Sequence, residues 1–338
     1  IEEVLGEKDA RLFSALYDVS DRGNWEGKNI LHLPRDLDSV AAELDVDPLE
    51  LEEVARRGRQ ALLERRETRV RPGRDEKILA GWNGWMLAGI AEAAVAFRSD
   101  RYVEVTRSNA DFLIDTFFEK GRLKRSFKDG RVRFDGVLED YGGVAWGLLA
   151  AFEATAEERF LRVARELIAT VRERFADDEN GAFFDVSDDH EELITRPKEI
   201  MDNATPSGNA TVIHSMLRLA RYLDDREMED EALDAARALW PVAMRYPSGF
   251  GFLLGTAEWF VTTPVELVVS GSPDRDEHGR FLQAIGESYL PQRVLISDAS
   301  VELPLSEGRR DGGPALYVCE LGSCRAPITD PDEAREAL

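Results

Sequence analysis

At 338 residues, 43% of them apolar, the chain can bury a sizeable core in one large domain or two; a net charge of −23 argues against nucleic acid as a partner. Its few cations are mostly arginine, and the excess acid reads as a solvated surface suited to high salt. No apolar run reaches the roughly 20 residues of a bilayer span, and two cysteines cannot staple a disulfide-rich secreted scaffold, so no membrane partner and a cytoplasmic setting are the expectations.

The chain opens at Ile1 within a partial helical pattern over 1–16, which reads as the start of a fragment of a longer protein. Residues 1–47 form a mixed lead-in. It holds a polar-aromatic knot of Asn24, Trp25, Glu26 and Lys28, either a structural turn or a loop over a cavity mouth. From residue 48, apolar residues at three- and four-residue spacing predict helices over 48–69, 78–97, 101–119, 139–155, 158–176, 207–223, 227–245 and 249–260. They alternate: the segments at 48, 101, 158 and 227 are amphipathic and rich in Arg and Glu, and those between them are apolar and small-residue-rich.

This alternation has a period. Asp75, Glu139 and Asp202 recur 64 and 63 residues apart, each just ahead of an apolar helix. Two-strand excursions are expected at 123–134 and around 182–186. Repeating outer–inner hairpins predict a mainly α fold, a partial (α/α)6-toroid-like array of about four hairpins over 48–263. The inner helices then run parallel, and the polar stretches before them gather at one end. After Pro264 the short apolar runs 265–269 and 293–296 flank a helix at 278–290; with a strand at 314–319 and a helix from Asp330, they predict a small α/β module over 264–338.

Four of these stretches, 23–32, 75–83, 138–141 and 206–209, together with Tyr317, Cys319 and Cys324, resemble the thioredoxin-domain-containing, spermatogenesis-associated protein family. The resemblance implies an (α/α)6 toroid similar to those of N-acylglucosamine 2-epimerases and six-hairpin glycosidases, preceded by a thioredoxin-like domain. The chain then corresponds to the later portion, and the thioredoxin-like and early toroid segments are its expected partners. The expected function is binding of a carbohydrate or sugar metabolite, with epimerase- or glycosidase-like acid–base chemistry. The alternative is a non-catalytic glycan- or protein-binding scaffold for the redox domain.

Glycoside hydrolysis needs two carboxyl groups across a sugar, about 5 to 9.5 Å apart. Asp75, Glu139, Asp140 and Asp202 are the candidates; their other role is to cap the helices they precede. Trp82, Trp85 and Tyr141 suit stacking on a pyranose or filling the core. Asn83, Asn203, Ser207 and Asn209, with Trp25 and Glu26, suit binding its hydroxyls. Epimerisation calls for histidine near neutral pKa. His214 alone falls on an inner helix, where it serves as base or as a core histidine; His32, His190 and His278 lie elsewhere. Cys319 and Cys324 have neither zinc nor dithiol-motif spacing, which leaves packing, a reversible disulfide or a metal open. No cofactor is expected.

Overall fold

The computed structural model describes residues 1–191, 194–310 and 313–338. It divides into two compact units, Ile1–Asp75 and Glu76–Leu338.

The first unit holds α1 (Glu2–Leu5), α2 (Glu7–Leu16), α3 (Leu37–Leu44) and α4 (Pro48–Glu67). Sequence chemistry sets two of the starts: the Asp36 side chain accepts from the Ser39 N–H, and Asp47 caps a helix whose first residue is Pro48. Phe13, Leu16, Val40, Leu51 and Val54 form its core. Gly58 lets α4 close on α2, since a Cβ there would stand 2.6 Å from the Phe13 ring.

The second unit begins with β1 (Ile78–Leu79), α5 (Ala80–Phe97) and α6 (Asp100–Phe117). A small antiparallel sheet follows, made of β2 (Phe118–Glu119), β3 (Arg122–Lys128) and β4 (Arg131–Asp135), with β1 pairing on β3. Then come α7 (Leu138–Thr155), α8 (Glu158–Arg174), α9 (Gly208–Leu223), α10 (Arg226–Arg245) and α11 (Gly251–Val261). The expected strand pair around 182–186 reduces to one bridge, Ala176 to Phe183. Side chains take the backbone groups a ladder would have used: Asn209 bonds both the N–H and the C=O of Phe183, and Arg196 donates to the Arg174 and Val186 carbonyls.

α5, α7, α9 and α11 pack side by side in series, with α6, α8 and α10 behind them, an arc of a toroid. Missing side chains let the inner helices approach. A Cβ on Gly84 would stand 2.4 Å from the Gly143 backbone, one on Gly147 2.4 Å from the Gly84 carbonyl, and one on Gly142 2.3 Å from Thr211 Oγ1. The N-terminal turns also meet, Gly81 against Asp140 and Gly208 against Glu139. The inner helices therefore run parallel, with their N-termini at one end.

The unit ends in a four-stranded sheet with the order β6-β5-β7-β8. β5 (Val265–Ser270), α12 (Asp276–Glu287) and β6 (Arg293–Ile296) form the expected βαβ unit, with β5 and β6 parallel. β7 (Ala315–Glu320) and β8 (Ser323–Cys324) add an antiparallel hairpin, and α13 (Pro331–Ala337) closes the chain. No helix among the described residues is long and apolar enough to cross a membrane.

Candidate functional site

The sequence-predicted residues fall into three groups. Trp25, Glu26 and Asp75 belong to the first unit, where Trp25 is exposed and Glu26 sits at positive φ in the turn that the Trp25–Lys28 bridge closes. Asn24 holds that turn, its amide bonding the Ile30 N–H and the Asp18 and Ile30 carbonyls.

The second group gathers at the N-terminal ends of the inner helices. Asp140 is 1% exposed. Its Oδ2 accepts from the Val137 N–H of its own helix and from Arg125 at 2.8 Å, and its Oδ1 accepts from Gly81 N–H on α5 at 3.0 Å. Burial pushes this carboxyl up to about 6, against the pull of Arg125 and the two backbone donors. Asp202 acts in the same way at the next pair of inner helices. Its Oδ1 accepts from the Ser207 N–H at 2.9 Å and its Oδ2 from the Phe252 N–H at 2.7 Å. Asp140 thus ties α5 to α7, and Asp202 ties α9 to α11, each on N–H groups that a helix start leaves without intrahelical partners.

Glu139 is different: it is half-buried, and among the described residues its carboxylate is held by the other arm of Arg125, at 2.7 Å. Asp185 lies beside it, with its carbonyl accepting from the Leu138 N–H and its side chain accepting from the Glu199 N–H. Burial raises the Asp185 carboxyl, and the charges of Glu199 and Glu139 add to that. Sequence alone passed over Asp185 and Arg125, because both lie in strand-like stretches without a motif.

The remaining predicted polar residues have structural partners. Asn83 donates to the Leu79 carbonyl, Ser207 caps α9 through Ala210 N–H, Asn209 is fully buried on Phe183, and Asn203 accepts from Ala204 N–H in an exposed turn. Tyr141 is buried too. Its hydroxyl accepts from the Leu123 N–H and its ring packs on Phe175 at 5.0 Å, away from the exposed rim.

The third group lines the inner faces of the helices. Trp82 is 57% exposed and Met86 follows it one turn on. Trp85 lies close to Gly143, its indole N–H without a hydrogen-bond partner among the described residues. Deeper, Trp146, Phe252 and Trp259 surround His214, whose ring centre lies 5.5 Å from Trp146, 5.5 Å from Phe252 and 6.1 Å from Trp259, all edge-on. Trp146 packs on Ala88, Ala91 and Ala150. Although the His214 residue is half-buried overall, its Nδ1 is sealed and has no hydrogen-bond partner among the described residues. Burial and then the Arg218 charge push its pKa down to about 3, so the imidazole is neutral at pH 7.

One turn beyond His214, Arg218 donates to Glu153 at 2.6 Å, and Tyr222 OH and the Leu295 N–H bond the same oxygen. Burial opposes ionisation of Glu153, but Arg218 and Arg293 overcome it and hold the carboxyl below its ordinary range. Glu153 had a sequence signal, a lone acid near the end of an otherwise apolar helix. Among the described residues no cluster of His, Cys, Asp or Glu is arranged to hold a metal ion.

No family model matches the chain. It is 30% identical over 337 residues to human spermatogenesis-associated protein 20, covering 94% of this chain and 43% of that protein, and 29% identical to the rat protein, covering 98% and 44%. Similar solved structures include cellobiose 2-epimerase from Bacillus thermoamylovorans, at 11% identity and TM-score 0.45 over 64% of this chain and 56% of that one. Another is an inactive variant of an α-1,6-mannanase from Salegentibacter in complex with α-1,6-mannotriose, at 15% identity and TM-score 0.41 over 70% and 69%. Over nearly its whole length, then, the chain is a homologue of the proteins named spermatogenesis-associated protein 20, of which it spans less than half.

Proposed function

We propose that the inner face of the arc binds a sugar or sugar-like metabolite. The observation that carries this is the aromatic setting of His214: three aromatic rings from two other helices around a neutral, half-buried imidazole. Indole faces suit the apolar C–H faces of a pyranose, and a few placed polar groups orient it.

Acid–base chemistry at this face falls to Glu139 at the rim, with Asp185, whose carboxyl burial pushes upward, beside it as the second carboxyl group. Asp140 and Asp202 are committed to backbone N–H groups. That commitment favours the second reading, a non-catalytic glycan-binding scaffold serving an attached thioredoxin-like redox domain.

Calorimetric titration with mono- and disaccharides, alongside tryptophan fluorescence, tests both. A binding sugar should lose roughly tenfold in affinity, about 1.4 kcal/mol, in Trp146→Ala. Absence of binding across the panel, or affinity indifferent to Trp146→Ala, sinks the proposal. With a turned-over sugar in hand, Glu139→Gln should abolish turnover and keep affinity; unchanged turnover leaves only the scaffold.

A further inference from the structure

The β7–β8 hairpin carries both cysteines of the chain. Its two-residue turn, Leu321 and Gly322, has positive φ at both positions, the geometry whose twist suits a tight hairpin. Glu320 and Ser323 flank the turn as the hydrogen-bonded pair. Cys319 and Cys324 come next, directly opposed where antiparallel side chains stand closest, and a disulfide joins them.

The two sulfurs have unlike surroundings. Cys319 is fully buried in the sheet, where it faces Glu266 of β5. Cys324 is partly exposed, and Arg309 Nη2 donates to its Sγ at 2.7 Å. Arg309 is itself fixed: Nη1 donates to the Leu305 and Glu307 carbonyls, and its guanidinium lies 5.9 Å from the centre of the Tyr317 ring. A cation is therefore held directly against the outward sulfur.

We propose that Cys319–Cys324 is a reversible thiol–disulfide exchange site, opened by an external dithiol that attacks Cys324 and closed again through Cys324. The incoming thiolate bonds to Cys324 Sγ, the disulfide breaks, and its electron pair leaves on Cys319, which takes a proton. The partner's second thiolate then attacks its own sulfur in the mixed disulfide and releases Cys324 as a thiolate facing Arg309. Two electrons pass from the partner dithiol, which ends as a disulfide; of its two protons one ends on Cys319 and the other is released to solvent, since Cys324 stays a thiolate. Closure with an oxidised partner is the reverse, and a guanidinium beside Cys324 favours its thiolate form as the attacking group.

The exchange has a structural consequence. The hairpin turn borders a cavity of about 700 Å³ that Arg309, Arg221 and Glu266 also line, and Gly322 N–H bonds the Glu266 carboxylate at 3.0 Å. Opening the disulfide frees that wall while β7 stays anchored in the sheet.

The test is alkylation of the dithiothreitol-reduced protein at a series of pH values, read at each cysteine by mass spectrometry, with circular dichroism confirming the fold. Cys324 should label before Cys319. Its midpoint should lie below the ordinary thiol value of about 8.5, rise toward it in Arg309→Gln and move less in Arg309→Lys. A merely structural arginine would leave that profile unmoved. The proposal falls if dithiothreitol does not open the pair in the folded protein, or if Cys324 titrates as an ordinary thiol in the wild type. Should Arg309→Gln not fold, the wild-type midpoint and Arg309→Lys decide.

Discussion

Replacing Asp202 with Ala removes a side chain that joins the starts of α9 and α11. Two backbone N–H donors, Ser207 at 2.9 Å and Phe252 at 2.7 Å, lose a carboxylate acceptor at once. Hydrogen bonds to a charged acceptor are worth about 1.5–3 kcal/mol each. Asp202 is only half-buried, so water recovers some of that, and a net loss of about 3 kcal/mol is expected for the pair. The second unit is the size of domain in which 1 kcal/mol moves Tm by about 2–4 °C, which puts the expected drop at about 6–12 °C. Asp202→Asn keeps one acceptor and should cost about half as much. Urea unfolding followed by far-UV circular dichroism measures the free energy, and a thermal melt checks it. A variant within about 0.5 kcal/mol of wild type that nevertheless loses sugar binding or turnover refutes the staple and restores Asp202 as a functional acid.

Asp140 gives a pH signature. Its folded pKa of about 6 lies above the ordinary 3.8, so the stability linked to its neutral form is fully present below about pH 4 and is lost as pH rises through about 6. The shift corresponds to about 3 kcal/mol. Urea midpoints measured from pH 4 to 7 should show wild-type stability falling relative to Asp140→Asn across that window, and parallel curves would contradict the assignment. Gly84→Ala tests the close approach of α5 and α7: its Cβ would stand 2.4 Å from Gly143 backbone atoms, which cannot swing aside as a side chain can. Overpacking of about 3 kcal/mol or more outweighs the roughly 1 kcal/mol gained in helix propensity. Denaturant unfolding should show a loss of about 2 kcal/mol, and a neutral or stabilised variant would mean the helices do not pack this way.

Helices were legible in this sequence because their cues are local. Apolar residues at three- and four-residue spacing place α4 through α11 within a few residues of where they stand, and small residues such as Gly84, Gly143 and Gly147 mark the faces that touch. The site was less legible because its partners are remote in sequence. Trp146, His214, Phe252 and Trp259 come from three helices, and nothing near His214 in sequence announces the other rings. Arg125 reaches Glu139 and Asp140 from a strand, and strand-like runs carry no spacing rule for a charge partner. Buried Glu153 was not singled out from the sequence, and its partners Arg218 and Arg293 lie on α9 and β6.

The rim acids show why spacing alone leaves chemistry undecided. A carboxylate ahead of a helix is favoured there by the free N–H groups whether it caps, staples or catalyses, so a 63- or 64-residue repeat of such acids is the same pattern in all three cases. What separates them is which atoms the oxygens face. Both oxygens of Asp140 and of Asp202 are spent on donors from two different helices, so moving either proton would loosen the array that positions the site. Glu139 is held by a side chain that can turn away, Arg125. Of the three rim acids in this unit, Glu139 is the one whose carboxylate, among the described residues, holds no helix-start N–H, which is why the acid–base chemistry proposed for this face is placed on it.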